Sequence, residues 1–249
     1  MALAKKIFAK IFAFFVVSKI IKSYPNAAQI QINTLKSLIN KAKKTKFGIE
    51  HQFHKINSVE EYIEKVPIRD YEDIKKYIDE IKKGIKDILW PGKPKYLAKT
   101  SGTTSGVKHI PITNESMPNH ILCSRNALLF YIYETGDTSF LNGKTIFLQG
   151  SPVLDEINGI LIGRLSGIVA HHIPSYLRKN NLPSVKANSI EDWEEKVNEI
   201  CNETINENMT TIGGIPSWVQ MYFETLLKKS NKKNIAELFK GLSLFVYGG

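Results

Sequence analysis

Cysteine is scarce in this 249-residue chain, and the two present, Cys123 and Cys201, stand far apart. Neither a disulfide framework nor a cysteine-rich zinc site can be built from such a pair, and a reducing, cytoplasmic setting is expected. Long apolar runs are lacking too. The N-terminal segment MALAKKIFAKIFAFFVVSKIIKSY is its most apolar text, yet the uncharged stretch Ile11 to Ser18 falls far short of the roughly 20 residues that cross a bilayer. Lys19 and Lys22 follow with no small-residue cleavage site, so neither a membrane span nor a signal peptide is expected. Glycine (16) and proline (10) are too few for a low-complexity array. With 43% hydrophobic and 23% charged residues, the chain is not disordered and is long enough for one large domain or two modest ones.

Acid is missing from the first 49 residues. Ten lysines precede or surround the single acid of residues 1–50, Glu50, so about +9 of the net +10 belongs to that segment and the remainder is nearly neutral. Lysines interleaved with aromatics between Lys5 and Tyr24 invite a nucleic-acid reading, but no recognised module surrounds them and no nucleic-acid partner is expected. The segment reads as an amphipathic helix that packs on the protein, or that makes weak contact with an anionic membrane surface through residues 1–24.

Further along, Gln31 to Lys46 reads as a helix, and Ser58-Val59-Glu60-Glu61 has the form of a capping box opening another. A third is expected after Asp70, stopping at Gly84. The run Trp90-Pro91-Gly92-Lys93-Pro94 is a rigid break, after which short β-like runs alternate with helices. Strands are expected at Tyr96–Lys99, His109–Thr113, Thr145–Gln149, Met209–Ile212 and Leu242–Tyr247, and helices from near Asn114, over Ser189 to about Glu207 and over Ser217–Lys229. The alternation predicts an α/β fold with a mixed β-sheet core and flanking helices.

The densest chemical signal is Leu97-Ala98-Lys99-Thr100-Ser101-Gly102-Thr103-Thr104-Ser105-Gly106-Val107-Lys108, which sets hydroxyls and glycines between two expected strands. Glycines let the backbone fold into a concave turn with inward N–H groups, hydroxyls add donors, and Lys108 adds positive charge: the makings of a phosphate cradle. A plain polar turn uses the same residues. It is not the P-loop of nucleoside triphosphatases, because three residues separate Gly102 from Gly106 and no Gly-Lys-Ser/Thr ending follows. A serine-hydrolase reading fails for want of Gly-x-Ser-x-Gly.

This passage resembles the phosphate-binding signature of adenylate-forming enzymes, the acyl-CoA synthetases, luciferases and peptide-synthetase adenylation domains. The text around it narrows the likeness. Phe47-Gly48, Val66-Pro67-Ile68 with Tyr71, Ile88-Leu89-Trp90-Pro91, Ile110-Pro111, Asp192-Trp193-Glu194-Glu195-Lys196, Gly213-Gly214-Ile215-Pro216-Ser217-Trp218 and Tyr247-Gly248-Gly249 follow one another. In that order they resemble the N-terminal half of the Gretchen Hagen auxin-responsive family of acyl-acid amido synthetases, from about Lys43 to Gly249. The resemblance implies residues 1–46 as a basic helical segment and 47–249 as the N-terminal, incomplete portion of an adenylate-forming large domain.

The activity so implied is ATP-dependent ligation. A small carboxylic acid is activated as an acyl-adenylate and then conjugated to an amino acid or other amine; the alternative is a non-catalytic nucleotide- or acyl-binding module left by truncation. Ser101, Gly102, Thr103, Thr104, Ser105, Gly106 and Lys108 are expected on the β- and γ-phosphates, and Gly248 and Gly249 against the adenine. Two departures accompany the likeness. The family usually places two residues before the lysine where Val107 stands alone, and the later motifs that supply the Mg²⁺ carboxylate and a ribose-binding aspartate have no counterpart, so the magnesium ligand is expected outside this chain.

No catalytic residue can be named from these motifs. Arg125, on an apolar helix after the loop, is a candidate partner for the substrate carboxylate where family members line the acyl pocket, or else a surface arginine. Ile215 and Trp218, with Met221, form either a pocket wall or plain core. The adjacent His171 and His172 face opposite sides of a strand and lack a third ligand at a suitable spacing, so no metal site is expected.

Overall fold

The computed structural model describes residues 2–100, 106–173 and 178–247. The chain divides into two compact units, one of Ser18–Leu122 with Leu154–Leu165, the other of Met1–Val17, Cys123–Val153 and Ser166–Gly249. Each has its own sheet, and helices α1 (Ala2–Ser23) and α6 (Met117–Thr135) are shared between them by sequence. The fold is mixed α/β.

In the first unit, α2 (Ala27–Ala42) stops earlier than the apolar pattern suggests. The cause is Thr45, whose N–H and hydroxyl both bond the Ala42 carbonyl, at 3.0 and 2.7 Å, while its Oγ1 caps the new helix α3 (Lys46–Glu50) by accepting from Gly48 N–H at 3.0 Å. The turn is so tight that a Cβ on Gly48 would lie 2.1 Å from the Ala42 oxygen. Its neighbour Phe47 inserts its ring between His51, Phe53 and Tyr77, joining two apolar clusters. The Phe-Gly pair is thus explained by packing on one residue and space on the next.

Helix α4 (Val59–Lys65) starts at Ser58 as expected, yet the reciprocal arm differs: Glu61 Oε2 accepts from Asn57 N–H rather than from Ser58. A complete capping box stands instead at Asp70 and Asp73, opening α5 (Tyr71–Lys82). Buried Tyr77, Ile78 and Ile81 of that helix pack with Leu97, Ile160 and Ile162 of the sheet. The sheet has order β2-β1-β5-β4, from β1 (Tyr96–Thr100), β2 (Lys108–Ile112), β4 (Asp155–Ile157) and β5 (Ile160–Arg164). β1 runs antiparallel to β2 and parallel to β5, and β4–β5 is a two-residue hairpin at Asn158-Gly159. That hairpin tip is tied down by Lys93 Nζ donating to Asn158 O at 3.0 Å and Asn158 Nδ2 donating to Lys82 O at 2.7 Å.

Helix α6 begins at Met117, three residues after the expected start. Thr113 and Ser116 exchange N–H···Oγ bonds at 3.0 and 3.1 Å, which holds a turn ahead of it, and Pro118 suits its second position because no N–H is needed there.

The second unit carries a fully parallel sheet of order β6-β3-β7-β8, formed by β3 (Lys144–Leu148), β6 (Asn181–Leu182), β7 (Met209–Gly214) and β8 (Leu244–Val246). Central β7 is buried along most of its length, as a strand covered on both faces must be. Around it lie α7 (Leu165–Ala170), α8 (Val185–Asn188), α9 (Trp193–Thr204), α10 (Pro216–Ser230) and α11 (Ile235–Leu238). Ile146, Leu148, Val197, Ile200, Ile212, Tyr222 and Leu226 form its core. The helix expected from Ser189 starts at Trp193 because Asp192 caps it, accepting from Glu195 N–H at 2.8 Å.

Candidate functional site

Two places in the fold hold the residues singled out by sequence, one in each unit.

The first is the β1–β2 connection. β1 and β2 pair from Tyr96↔Ile112 to Thr100↔Lys108, so the loop sits on an aligned antiparallel ladder. Ser101, Gly102, Thr103, Thr104 and Ser105 lie outside the described residues. The loop's last turn is described: Gly106 has φ +78 with nothing within 4 Å of a would-be Cβ, a left-handed backbone in open space. Lys108 opens β2 half-buried, its ammonium 5.3 Å from the ring centroid of Tyr71. Tyr71 Oη in turn accepts from the backbone N–H of the next residue, His109, at 2.8 Å. Among the described residues no carboxylate pairs with Lys108. Lys99 differs, since its ammonium is bound to Asp155 at 2.6 Å. The His109 pKa is lowered, chiefly by burial and then by the charges of Lys82 and Lys99, with Asp79 opposing. Lys108 is thus a cation free of any ion pair among the described residues, a donor suited to an anionic ligand.

The second place is the carboxyl edge of the parallel sheet, where open α/β sheets bind ligands. β7 ends in Gly213-Gly214 and runs through Ile215 into α10, while β8 ends just before Tyr247. Gly248 and Gly249 lie outside the described residues. Ile215 is exposed and Trp218 half-buried, its ring 4.6 Å from that of Trp193. Trp193 Nε1 donates to Met221 Sδ at 3.3 Å. The Asp-Trp-Glu-Glu-Lys run thus has structural duties: Asp192 caps, Trp193 covers α10, and buried Lys196 donates to Asn188 O at 2.5 Å.

At the same edge a cavity of about 200 Å³ opens past the ends of β3 and β6, among Phe147, Gln149, His171, Arg178, Leu182 and Val185. Its surface is mostly apolar, with Arg178 at one side donating to Ile173 O at 2.9 Å. The space suits a single hydrocarbon ring. No sequence argument singled it out; the signal available was the position of Phe147 and Gln149 at the end of a parallel strand. Arg125, Ile215 and Trp218 do not line it. Arg125 is exposed on α6, with its guanidinium 5.8 Å from the Phe12 ring and bonded to Asn126 Oδ1 at 2.9 Å. His171 Nε2 bonds Pro152 O at 2.7 Å, and among the described residues no group of three His, Cys, Asp or Glu converges as a metal site. Nor is any described helix long and apolar enough to cross a membrane.

The GH3 family N-terminal domain matches residues 16–187, more than half the chain, and the protein belongs to the GH3 family. Among solved structures it is similar to a GH3.15 acyl acid amido synthetase, with TM-score 0.70 and 20% identity over 85% of this chain and 38% of that one. It is also similar to AtGH3.15 acyl acid amido synthetase in complex with 2,4-DB, with TM-score 0.64 and 18% identity over 88% of this chain and 42% of that one. The chain thus spans about two fifths of the length of these proteins, and at such identity the likeness is one of fold. A search of curated proteins gives no match.

Proposed function

We propose that this chain is the nucleotide-binding, N-terminal portion of an ATP-dependent acyl-acid amido synthetase. The observation that carries the reading is the Gly/Ser/Thr loop between β1 and β2, closed by left-handed Gly106 and by Lys108, in a member of the GH3 family. Backbone N–H groups and hydroxyls of Ser101–Ser105, with Lys108, hold the β- and γ-phosphates, and Gly248-Gly249 lies against the adenine. The acid's carboxylate oxygen attacks the α-phosphorus, pyrophosphate leaves with the charge that these donors stabilise, and an acyl-adenylate results. An amine nitrogen, typically that of an amino acid, then takes the acyl group and AMP departs.

Within this reading the small carboxylic acid places its hydrocarbon part at the carboxyl edge of the parallel sheet. Ile215 and Trp218 form one wall of that edge, whereas Arg125, exposed on α6 and bonded to Asn126, is not among the residues that line the cavity there. Residues 47–249 belong to the adenylate-forming domain and 1–46 are a basic helical addition, in a cytoplasmic protein. Mg²⁺ would neutralise the phosphates; the described residues offer no carboxylate cluster to hold it, and no step is assigned to it.

Acid-dependent exchange of pyrophosphate into ATP tests the proposal, with aryl and alkanoic acids supplied in turn. Exchange with at least one acid is expected when the chain is joined to the remaining part of a synthetase, of whose length it covers about two fifths. The chain's two-fifths coverage of its structural relatives favours one second reading, a nucleotide- or acyl-binding module without catalysis. Retained nucleotide binding with no exchange for any acid would select it.

A further inference from the structure

Helix α1 is built in reverse of an ordinary packed helix. Its inward residues are small, Ala9 half-buried and Ala13 and Val17 fully buried, following one another at i, i+4 and i+8. Its large apolar residues point outward: Phe8 is 68% exposed, Ile11 50% and Phe15 67%, a stripe at i, i+3 and i+7, with Ile7 beside it at 50%. Phe8 stacks on Phe12 at 6.0 Å, and Phe12 in turn lies under the Arg125 guanidinium of α6.

Charge completes the pattern. Lys19 and Lys22 stand in the last turns and the helix carries no acid, while Lys5 is held to the protein by donating to Leu141 O at 3.1 Å. The whole stripe lies ahead of residue 16, where the match to the family's N-terminal domain begins, so the shared domain does not account for it. An exposed apolar stripe followed by ammonium groups matches the boundary of an anionic bilayer, where rings enter the acyl region and lysines reach the headgroups. Neutral protein surface offers no partner for that charge, and the helix is too short of apolar length to span.

We propose that residues 3–22 dock this protein on the surface of anionic membranes, with Ile7, Phe8, Ile11 and Phe15 inserted and Lys19 and Lys22 on the headgroups. Flotation of the 249-residue chain is the test, with vesicles of phosphatidylcholine alone and with about a third phosphatidylglycerol. The chain is expected to float with the anionic vesicles, to lose that binding as salt is raised, and to stay behind with neutral ones. The triple variant Phe8→Ser/Ile11→Ser/Phe15→Ser should bind about a hundredfold more weakly, with an unchanged circular dichroism spectrum and melting temperature because the altered side chains are exposed. Absence of flotation with anionic vesicles overturns the proposal. So does equal binding by the triple variant, or a wild-type dimer that does not float and that the triple variant turns into a monomer, which would make a second copy the occupant of this face.

Discussion

Lys108 and Tyr71 meet at the rim of the candidate phosphate loop: the ammonium lies over the phenol ring, and the phenol oxygen accepts the N–H of residue 109. One tyrosine from the first turn of α5 therefore fixes both the start of β2 and the position of the lysine. Tyr71→Phe keeps the ring and removes the acceptor, and should cost about 1 kcal/mol in urea unfolding. Tyr71→Leu removes the ring as well. It should lower nucleotide affinity beyond what its stability loss explains, since Lys108 then loses its seat.

Gly48 makes a second prediction. With a Cβ placed 2.1 Å from the carbonyl oxygen of Ala42, Gly48→Ala must push apart α2 and α3, and a loss of about 2–3 kcal/mol is expected by urea or thermal unfolding. Thr45→Ala, which removes the cap on the same turn, should cost about 1 kcal/mol.

The Tyr77–Glu50 hydrogen bond sets a pH dependence at both ends. Burial, with the bond to Glu50 second, raises the Tyr77 hydroxyl from 10.0 to about 12. The folded state therefore keeps a proton that the unfolded state has lost, and this contribution is full below pH 10 and disappears between pH 10 and about 12. Glu50 is shifted downward, chiefly by accepting that bond, so its contribution is present above the unfolded carboxylate value of 4.5 and fades as pH falls through its folded value. Tyr77→Phe should lose less stability than wild type over the alkaline window when melting temperatures are followed against pH.

The two thiols should separate cleanly. Cys201 is fully buried and its pKa is pushed up to about 11 by that burial, whereas Cys123 is exposed on α6. A disulfide reagent at pH 8 is expected to label one thiol in the native protein and two in denaturant. Rapid native labelling of both would show that the second unit's core opens.

Much of this architecture was legible in the sequence because local signals and tertiary need agreed. The consecutive apolar residues Tyr96–Ala98 and the buried run of Met209–Ile212 mark real strands, and Asp70 marks a real helix start. The β4–β5 hairpin has an equally plain sequence signal: Asn158-Gly159 takes positive φ at both residues, 51 and 77, the two-residue turn for which Asn-Gly is the strongest signal. Its first strand, by contrast, carries no apolar alternation, since Asp155, Glu156 and Ile157 are all exposed. The end of α2 was hidden for another reason, because Thr45 chooses between continuing one helix and capping the next by a hydrogen bond that no periodicity records. As for the candidate site, the residue types of the loop were plain in the sequence. The placement of Lys108 over Tyr71, the binding of Lys99 to Asp155 and the exposure of Arg125 depend on pairings distant in the chain.

The claim on which the account turns is that the β1–β2 loop grips a nucleotide's phosphates with Lys108 as its cation. Calorimetric titration of the chain with a nonhydrolysable ATP analogue, beside Lys108→Ala and Lys99→Ala, tests it most directly. The account predicts affinity lowered about tenfold or more by Lys108→Ala and nearly unchanged by Lys99→Ala, whose ammonium already serves Asp155. Equal affinity in Lys108→Ala and wild type, or no binding by wild type at all, would contradict it.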